Sequence, residues 1–332
     1  MPTSTRPQRR RLGALLVLAL TLALLGTAGC GRPAAVDPPD RLGAPPETGF
    51  LVADLWDDGE AEVASYRVRE RRYGSLRAGH ATLITVKERF DADLLVKADG
   101  PRHERTLDAI KLNHVRTTPT GVYTYRQMAS VFLARATGSP LKLATGSQEW
   151  CGLTAKRLVI RGAEAALETH SYFGSEGDRA YRLRVDERTV LADALPVWVR
   201  TLDLTRPGER TIRLVPEQLS SHAERPEVEE ATVEVGEPTA IDVPAGPRRA
   251  VPVAVRGVGE ETFWLDEAFP HVVVRWDRAD GGEYALEWVK RAQYWALNAD
   301  EDLGVLDPRR AARPATDLAR ESGEVVEGSP AR

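Results

Sequence analysis

The chain has 332 residues, a formal net charge of −4 and two cysteines. This length is enough to bury a large apolar core in one large or two ordinary domains. A mildly acidic chain is a poor electrostatic partner for nucleic acid or for an anionic bilayer surface. If one cysteine is modified, the other has no intrachain partner, so the composition also excludes a disulfide scaffold.

Residues 1–29 have the pattern of a bacterial export signal. A basic start with four arginines and no acidic residue precedes an apolar run over residues 12–25. This run is too short to cross about 30 Å of hydrocarbon as a permanent helix. The pattern therefore predicts a cleaved secretory signal rather than a membrane span.

The string Thr27-Ala28-Gly29-Cys30 closes this leader and resembles a bacterial lipobox. The match predicts that Cys30 carries acyl chains that anchor the mature protein in a membrane. The alternative is a secreted protein in which Cys30 is an incidental thiol, because Thr27 stands where a lipobox usually has leucine. Gly31 is not the aspartate that retains lipoproteins in an inner membrane, so we expect the periplasmic face of an outer membrane.

Three further segments follow from composition. Residues 30–48 are rich in proline, which predicts an extended tether. Residues 306–332 are charged and lack an apolar stripe, which predicts a disordered tail. Residues 49–305 are expected to form a β-rich periplasmic domain. Its strands could be divided between two sub-sheets, at about 49–190 and 205–298.

The first half of this domain alternates between apolar and polar residues. Such alternation over residues 64–69 predicts a half-buried strand, and Gly74 and Gly79 place a turn within residues 72–80 before a second strand over 81–90. Glycine-containing breaks separate the next candidates. These are residues 109–117, 122–134, 141–147, 153–161, 166–173 and 181–185.

The second half of the domain shows the same alternation of apolar and polar residues, and it also contains one predicted helix. Asp280-Gly281-Gly282 predicts the turn of a hairpin over residues 272–290. Apolar residues at three- and four-residue spacings predict a helix over 194–202, with Asp193 as its cap. The other strands are expected at residues 209–216, 227–234, 249–258 and 261–266. This order predicts an all-β fold, a large antiparallel meander curved into an open barrel or sandwich, with one short helix.

Cys151 is the candidate nucleophile of the sequence. His170 or His114 is a candidate base, and Glu149 is a candidate group to orient that base. An unpaired cysteine is also commonly a small buried hydrophobe, so both interpretations stay open. The six histidines of the chain share no metal-finger spacing. We therefore predict no metal site and no other cofactor.

Aromatic residues crowd into the last predicted strands, at Trp264, Trp276, Trp288 and Tyr284. A cluster of this kind can line an apolar pocket for an acyl chain or an aromatic ligand. More often, such a cluster is core packing. These four residues are the candidate ligand contacts.

Several strings together cover roughly residues 55–175. They are Trp56-Asp57-Asp58-Gly59, Arg72-Tyr73-Gly74, Thr120-Gly121-Val122-Tyr123-Thr124-Tyr125 and Gln148-Glu149-Trp150-Cys151-Gly152. In these strings the chain resembles a family of uncharacterised bacterial β-rich lipoproteins. The resemblance implies a lipid-anchored β protein and supplies no catalytic residues.

Taken together, the sequence predicts a non-enzymatic envelope lipoprotein. Its expected partners are the membrane, through Cys30, and an apolar small molecule or an envelope protein, but not nucleic acid. The alternative is a thiol-dependent hydrolase or transferase that uses Cys151.

Overall fold

A computed structural model of the protein describes residues 49–257, 259–302 and 304–307. Seventeen strands in this part form one large sheet that does not close, which confirms the all-β fold class. The strands are β1 Ala61–Arg72, β2 Ser75–Asp91, β3 Val96–Lys97, β4 Thr106–Thr120, β5 Tyr123–Ala134, β6 Pro140–Glu149, β7 Gly152–Arg161, β8 Glu164–Ser171, β9 Arg179–Arg184, β10 Thr189–Leu191, β11 Gly208–Val215, β12 Glu229–Val235, β13 Thr239–Val243, β14 Gly246–Arg256, β15 Glu260–Asp266, β16 Val273–Asp277 and β17 Glu283–Ala292.

The first and last strands of the chain lie side by side in the middle of the sheet. There β1 pairs with β2 on one side and with β17 on the other. On one side the order continues from β2 through β4, β5, β6, β7 and β8 to β9. On the other it continues from β17 through β16, β15, β14, β12 and β11 to β10. The predicted ranges 49–190 and 205–298 thus both supply strands to one sheet. The β10–β11 pair is parallel and departs from the predicted antiparallel pattern.

Tight hairpin turns set the ends of this sheet. The first hairpin turns at Tyr73-Gly74, where φ is +51° and +75°. Positive φ at both central residues gives a turn whose twist matches that of paired strands. The predicted turn over residues 72–80 was too long, because the second strand already begins at Ser75.

We call the sheet end that carries the β1–β2, β4–β5 and β6–β7 turns the upper end, and the opposite end the lower end. The predicted hairpin over residues 272–290 also has its turn at the upper end, where Gly281 has a φ of +80°. In β1, Ala64, Tyr66 and Val68 are buried and Arg67 and Arg69 are exposed, as predicted, but Ser65 is also buried, so the alternation holds only from Tyr66 to Arg69.

Three strands were not predicted: β3, β10 and β13. They contain two, three and five residues. The two-residue and three-residue strands are too short to show an alternation of apolar and polar residues.

A buried helical segment follows β10. A 3₁₀ turn Ala192–Ala194, the α-helix α1 Leu195–Trp198 and a second 3₁₀ turn Val199–Thr201 replace the single predicted helix. Every residue of α1 is buried, so this helix packs on all sides, as an apolar helix inside a domain does. The remaining 3₁₀ helices are Phe50–Val52, Asp54–Asp57, Tyr294–Ala296 and Asp300–Asp302.

Asp193 does not cap this helix, and that prediction was wrong. Its buried carboxylate instead accepts hydrogen bonds from the backbone N–H groups of Gln218 and Leu219, at 2.8 and 3.1 Å. The helix start has no side-chain capping bond. The carboxylate oxygens that were expected to accept hydrogen bonds from the helix start therefore accept them from a distant part of the chain.

The chain after β11 runs without regular structure through the interior. We call residues 217–223 the interior segment. The carbonyl of its Gln218 accepts a bond from Lys156 Nζ at 2.8 Å, and that of Ser221 accepts one from Thr154 Oγ1 at 2.7 Å. Buried polar side chains on β7 thus satisfy a backbone that has no strand partner, as buried carbonyls require.

Part of the predicted organisation lies outside the described residues: Cys30, the leader, the tether, position 258 and residues 308–332. Among the residues that are described, none of the helices has the length and apolar character needed to span a bilayer.

Candidate ligand-binding site

A cavity of about 330 Å³ opens at the lower end, beside the helical segment. We call it the lower-end pocket. Three chain reversals surround it: the β5–β6 turn, the β7–β8 turn and the β9–β10 connection. Its apolar wall consists of Leu133, Ile160, Val185, Val190, Leu191 and Trp198.

Local sequence explains how these walls converge. Leu133 and Ile160 lie near the lower ends of β5 and β7, and Gly138 and Gly162 allow the turns that follow, with φ values of +71° and +59°. Glycine adopts this left-handed region without the steric penalty that a Cβ brings. Trp198 comes from the helical segment and fills the inner side. The pocket is therefore assembled from ends of elements rather than from one strand.

The polar rim of the pocket carries two carboxylates, Asp186 and Glu187. Burial favours the neutral form of Asp186, but bonds from the Thr189 hydroxyl, from Arg213 and from the Arg188 backbone outweigh it and lower its pKa. The Arg213 Nη1 to Asp186 Oδ2 distance is 3.2 Å. Asp186 is thus an ionised structural group, while Glu187 is exposed to solvent.

A second cavity, of about 630 Å³, lies between the start of the described chain and the β15–β16 loop. Its wall includes Phe50 and Phe269 but also Arg200, Asp203 and Glu267. Arg200 makes a buried two-bond ion pair with Glu62, at 2.7 and 2.8 Å. The mixed charges of this wall suit an apolar molecule less well than the lower-end pocket does.

Cys151 lies exposed in the β6–β7 turn. The Glu149 carboxylate accepts a hydrogen bond from the Cys151 backbone N–H. A hydrogen bond with this carboxylate, together with its charge, raises the pKa of the Cys151 thiol above its usual range. A raised pKa lowers the fraction of thiolate, which is the nucleophilic form.

The candidate bases lie elsewhere. His114 is buried and its Nε2 is 3.2 Å from the Tyr284 hydroxyl, and burial lowers its pKa to about 3. His170 is exposed, with its Nδ1 3.3 Å from Asp178 Oδ1. Among the contacts of the described chain, no hydrogen bond joins Cys151 to either histidine. The structure does not bring together the nucleophile and base that the thiol hypothesis requires.

The four predicted aromatic ligand contacts divide between two apolar clusters. Trp276 and Tyr284 stack with a centroid distance of 4.6 Å and belong to the buried core. Trp264 is partly buried against the same core and donates to Asp277, whereas Trp288 packs against a separate apolar cluster that contains Val63. None of the four lines either cavity described above.

Sequence reasoning missed the residues of the lower-end pocket. Gly138 and Gly162 were signals of turns, and alternate turns of a meander meet at one end of a sheet. The helical residue Trp198 could not be placed there, because a helix that follows a meander can pack on either face. In the described part of the chain no group of three or more histidine, cysteine or carboxylate side chains has the arrangement of a metal site.

Comparison with known proteins gave no match to a family model, to a curated protein or to a solved structure. The resemblance to β-rich lipoproteins stays a prediction.

Proposed function

We propose that the protein is a lipid-anchored envelope protein that binds an apolar ligand in the lower-end pocket and catalyses no reaction. The observation that supports ligand binding most directly is the pocket itself. Its volume is about 330 Å³. That is at the lower limit of roughly 300–1,000 Å³ found for small-molecule sites, and its wall of aliphatic side chains and one tryptophan has the usual composition.

The position of the chain start supports this proposal. Arg135, directly after β5, donates to the backbone carbonyls of Leu51 and Ala53. The first described residues are thereby held at the lower end, where the pocket also lies. A tether from Cys30 to Gly49 extends at most about 65 Å. Lipidation of Cys30 would therefore attach the membrane anchor to the end of the sheet at which the pocket opens.

Binding rather than thiol chemistry is supported by the surroundings of Cys151. Glu149 disfavours the thiolate, and the nearest candidate bases are engaged with Tyr284 and Asp178. A catalytic cysteine normally has the opposite environment, with a positive group or a base in hydrogen-bond reach.

The anchor and the pocket are tested with one set of variants. Cys30→Ser should move the protein from the membrane fraction to the soluble periplasmic fraction, and metabolic labelling with palmitate should be lost. This soluble full-length variant is then purified without detergent and analysed by native mass spectrometry. We expect a bound mass that disappears on denaturation.

A pocket-filling substitution distinguishes this site from others. Ala163→Phe places a ring at the pocket wall and should reduce the bound fraction at least 10-fold. Ala180→Phe is the matched control, because Ala180 is exposed on β9 and does not line the pocket. Equal ligand loads in the two variants, or a wild-type protein without ligand that also binds no added apolar probe, would contradict the proposal.

A further inference from the structure

Four aromatic side chains meet at the upper end, remote from the lower-end pocket. Tyr73 comes from the β1–β2 turn, Tyr123 and Tyr125 from the start of β5, and Trp150 from the β6–β7 turn. We call these four residues the aromatic platform. They belong to three of the strings that the sequence analysis singled out and that the proposed function does not use.

The rings are held in fixed positions. The Tyr73 hydroxyl lies 2.7 Å from the hydroxyls of both Tyr123 and Tyr125. Trp150 stacks on Tyr123 with a centroid distance of 6.2 Å and an interplanar angle of 29°. The guanidinium of Arg72 lies over the ring of Tyr125, 4.5 Å from its centroid. The platform is therefore ordered before any ligand arrives.

Despite this order, much of the platform faces solvent. Tyr73 is 65% exposed and Trp150 is 76% exposed. Tyr73 also occupies the left-handed region, with a φ of +51°, where a bulky residue is an outlier. Strain of this kind persists only where the surroundings impose it, and it clusters at functional sites.

The polar atoms of the platform narrow the class of ligand. Each tyrosine hydroxyl can donate one hydrogen bond and accept two, so three hydroxyls that share two bonds keep capacity for a ligand. Glu149, the last residue of β6, directly precedes Trp150. A ligand that fits must offer an apolar face to the rings and hydroxyl groups at its edge.

We propose that the aromatic platform is a carbohydrate-binding site, on which a pyranose ring stacks its C–H face against Trp150 and hydrogen-bonds at its edge to the tyrosine hydroxyls. A pyranose has this combination of an apolar face and a hydroxylated rim. A lipid tail cannot form hydrogen bonds with the three tyrosine hydroxyls. The site is independent of the proposed lower-end ligand.

Ligand-observed saturation-transfer NMR tests this site on the full-length Cys30→Ser protein. The probes are the tetrasaccharides of β-1,4-N-acetylglucosamine, β-1,4-glucose and α-1,4-glucose. Co-sedimentation with isolated murein sacculi and with purified cell-surface polysaccharide distinguishes the two sources of sugar in an envelope. We expect binding to at least one tetrasaccharide, weakened at least 10-fold by Trp150→Ala.

Trp295→Ala is the matched control, since Trp295 is an exposed tryptophan that is not part of the platform. It should bind sugars as the wild type does. Tyr73→Phe keeps the ring but removes the bridging hydroxyl, and we expect about a threefold loss. The proposal is overturned if no sugar binds, if Trp150→Ala binds like the wild type, or if the wild type binds only vesicles of phosphatidylethanolamine and phosphatidylglycerol.

Discussion

The interior of the sheet is built in two different ways. Around α1 it is apolar, with Leu191, Leu195 and Trp198 buried against the surrounding strands. Around the interior segment it is polar, with Arg116 of β4 lying 3.9 Å from the carboxylate of Glu217 in that segment. The difference shows that one core can be stabilised by the packing of apolar side chains in one region and by paired charges in another.

Arg116 is the centre of the polar region. It donates to Gln127, to the Tyr284 hydroxyl and to the carbonyl of Leu219, at 2.9 to 3.1 Å. Glu217 in turn receives two bonds from Arg278, at 3.2 and 2.6 Å. Burial opposes the charge of Glu217, but Arg278 and Arg116 outweigh it and lower its pKa to about 2.

The largest effect is expected from Arg116→Ala. Removing one partner leaves buried acceptors and carboxylates without compensation, which costs about 3–5 kcal/mol. Urea unfolding measures this loss, with Arg69→Ala on the exposed face of β1 as the control, expected within about 0.5 kcal/mol. Arg116→Met should be no better than alanine, because it restores volume but not charge. A stable Arg116→Met protein would show that the polar region is held by shape after all.

A smaller loss, about 3 kcal/mol, is expected from Leu195→Ala in the apolar region, since it removes buried methyl groups and leaves a cavity. Here the shape-conserving variant should rescue stability: Leu195→Met is expected to cost less than about 1.5 kcal/mol. The same unfolding experiment checks both variants, with Val122→Ala at an exposed turn as the control. Equal losses for alanine and methionine at position 195 would remove the contrast between the two regions.

The third effect concerns pH and Asp193, which joins the two regions. Burial, with a further contribution from the charge of Glu217, raises the pKa of Asp193 from 3.8 to about 7. The folded state therefore holds this proton more tightly than the unfolded chain. The stability that results is complete below about pH 4 and is lost as the pH rises towards 7.

Asp193→Asn should remove this dependence. Between pH 4 and pH 7 the wild type is expected to lose about 3 kcal/mol of unfolding free energy relative to the variant. Urea titrations of both proteins at several pH values measure the difference. A difference that stays constant, or that changes in the opposite direction, would mean that Asp193 is already ionised at low pH.

Sequence reasoning succeeded where the pattern is local. The hairpin over residues 272–290 could be predicted because Asp280-Gly281-Gly282 and the alternation beside it lie within one stretch of chain. The burial of Tyr66 and the exposure of Arg67 followed from the same period of two. The helix could be placed, although the structure divides it into an α-helical turn flanked by 3₁₀ turns.

The sites were much harder to predict. Trp276 and Trp288 look alike in sequence, yet Trp276 belongs to the main core and Trp288 packs against a separate cluster. Cys151 was the obvious nucleophile, but the charge beside its thiol depends on how the β6–β7 turn places Glu149. Neither the lower-end pocket nor the aromatic platform occupies one continuous stretch, so no spacing rule could have shown them.

By itself, the sequence determined the all-β class, the positions of most strands and turns, and which strand faces are apolar, because alternation and turn chemistry act between neighbouring residues. Only the tertiary structure decided that β1 joins β2 and β17 at the centre of one sheet. It also decided that Asp193 binds the interior segment instead of capping a helix. The same is true of the surface that Tyr73, Tyr123 and Trp150 share. Those outcomes depend on the register of strands and the competition for buried hydrogen bonds between residues far apart in the chain, which no local pattern encodes.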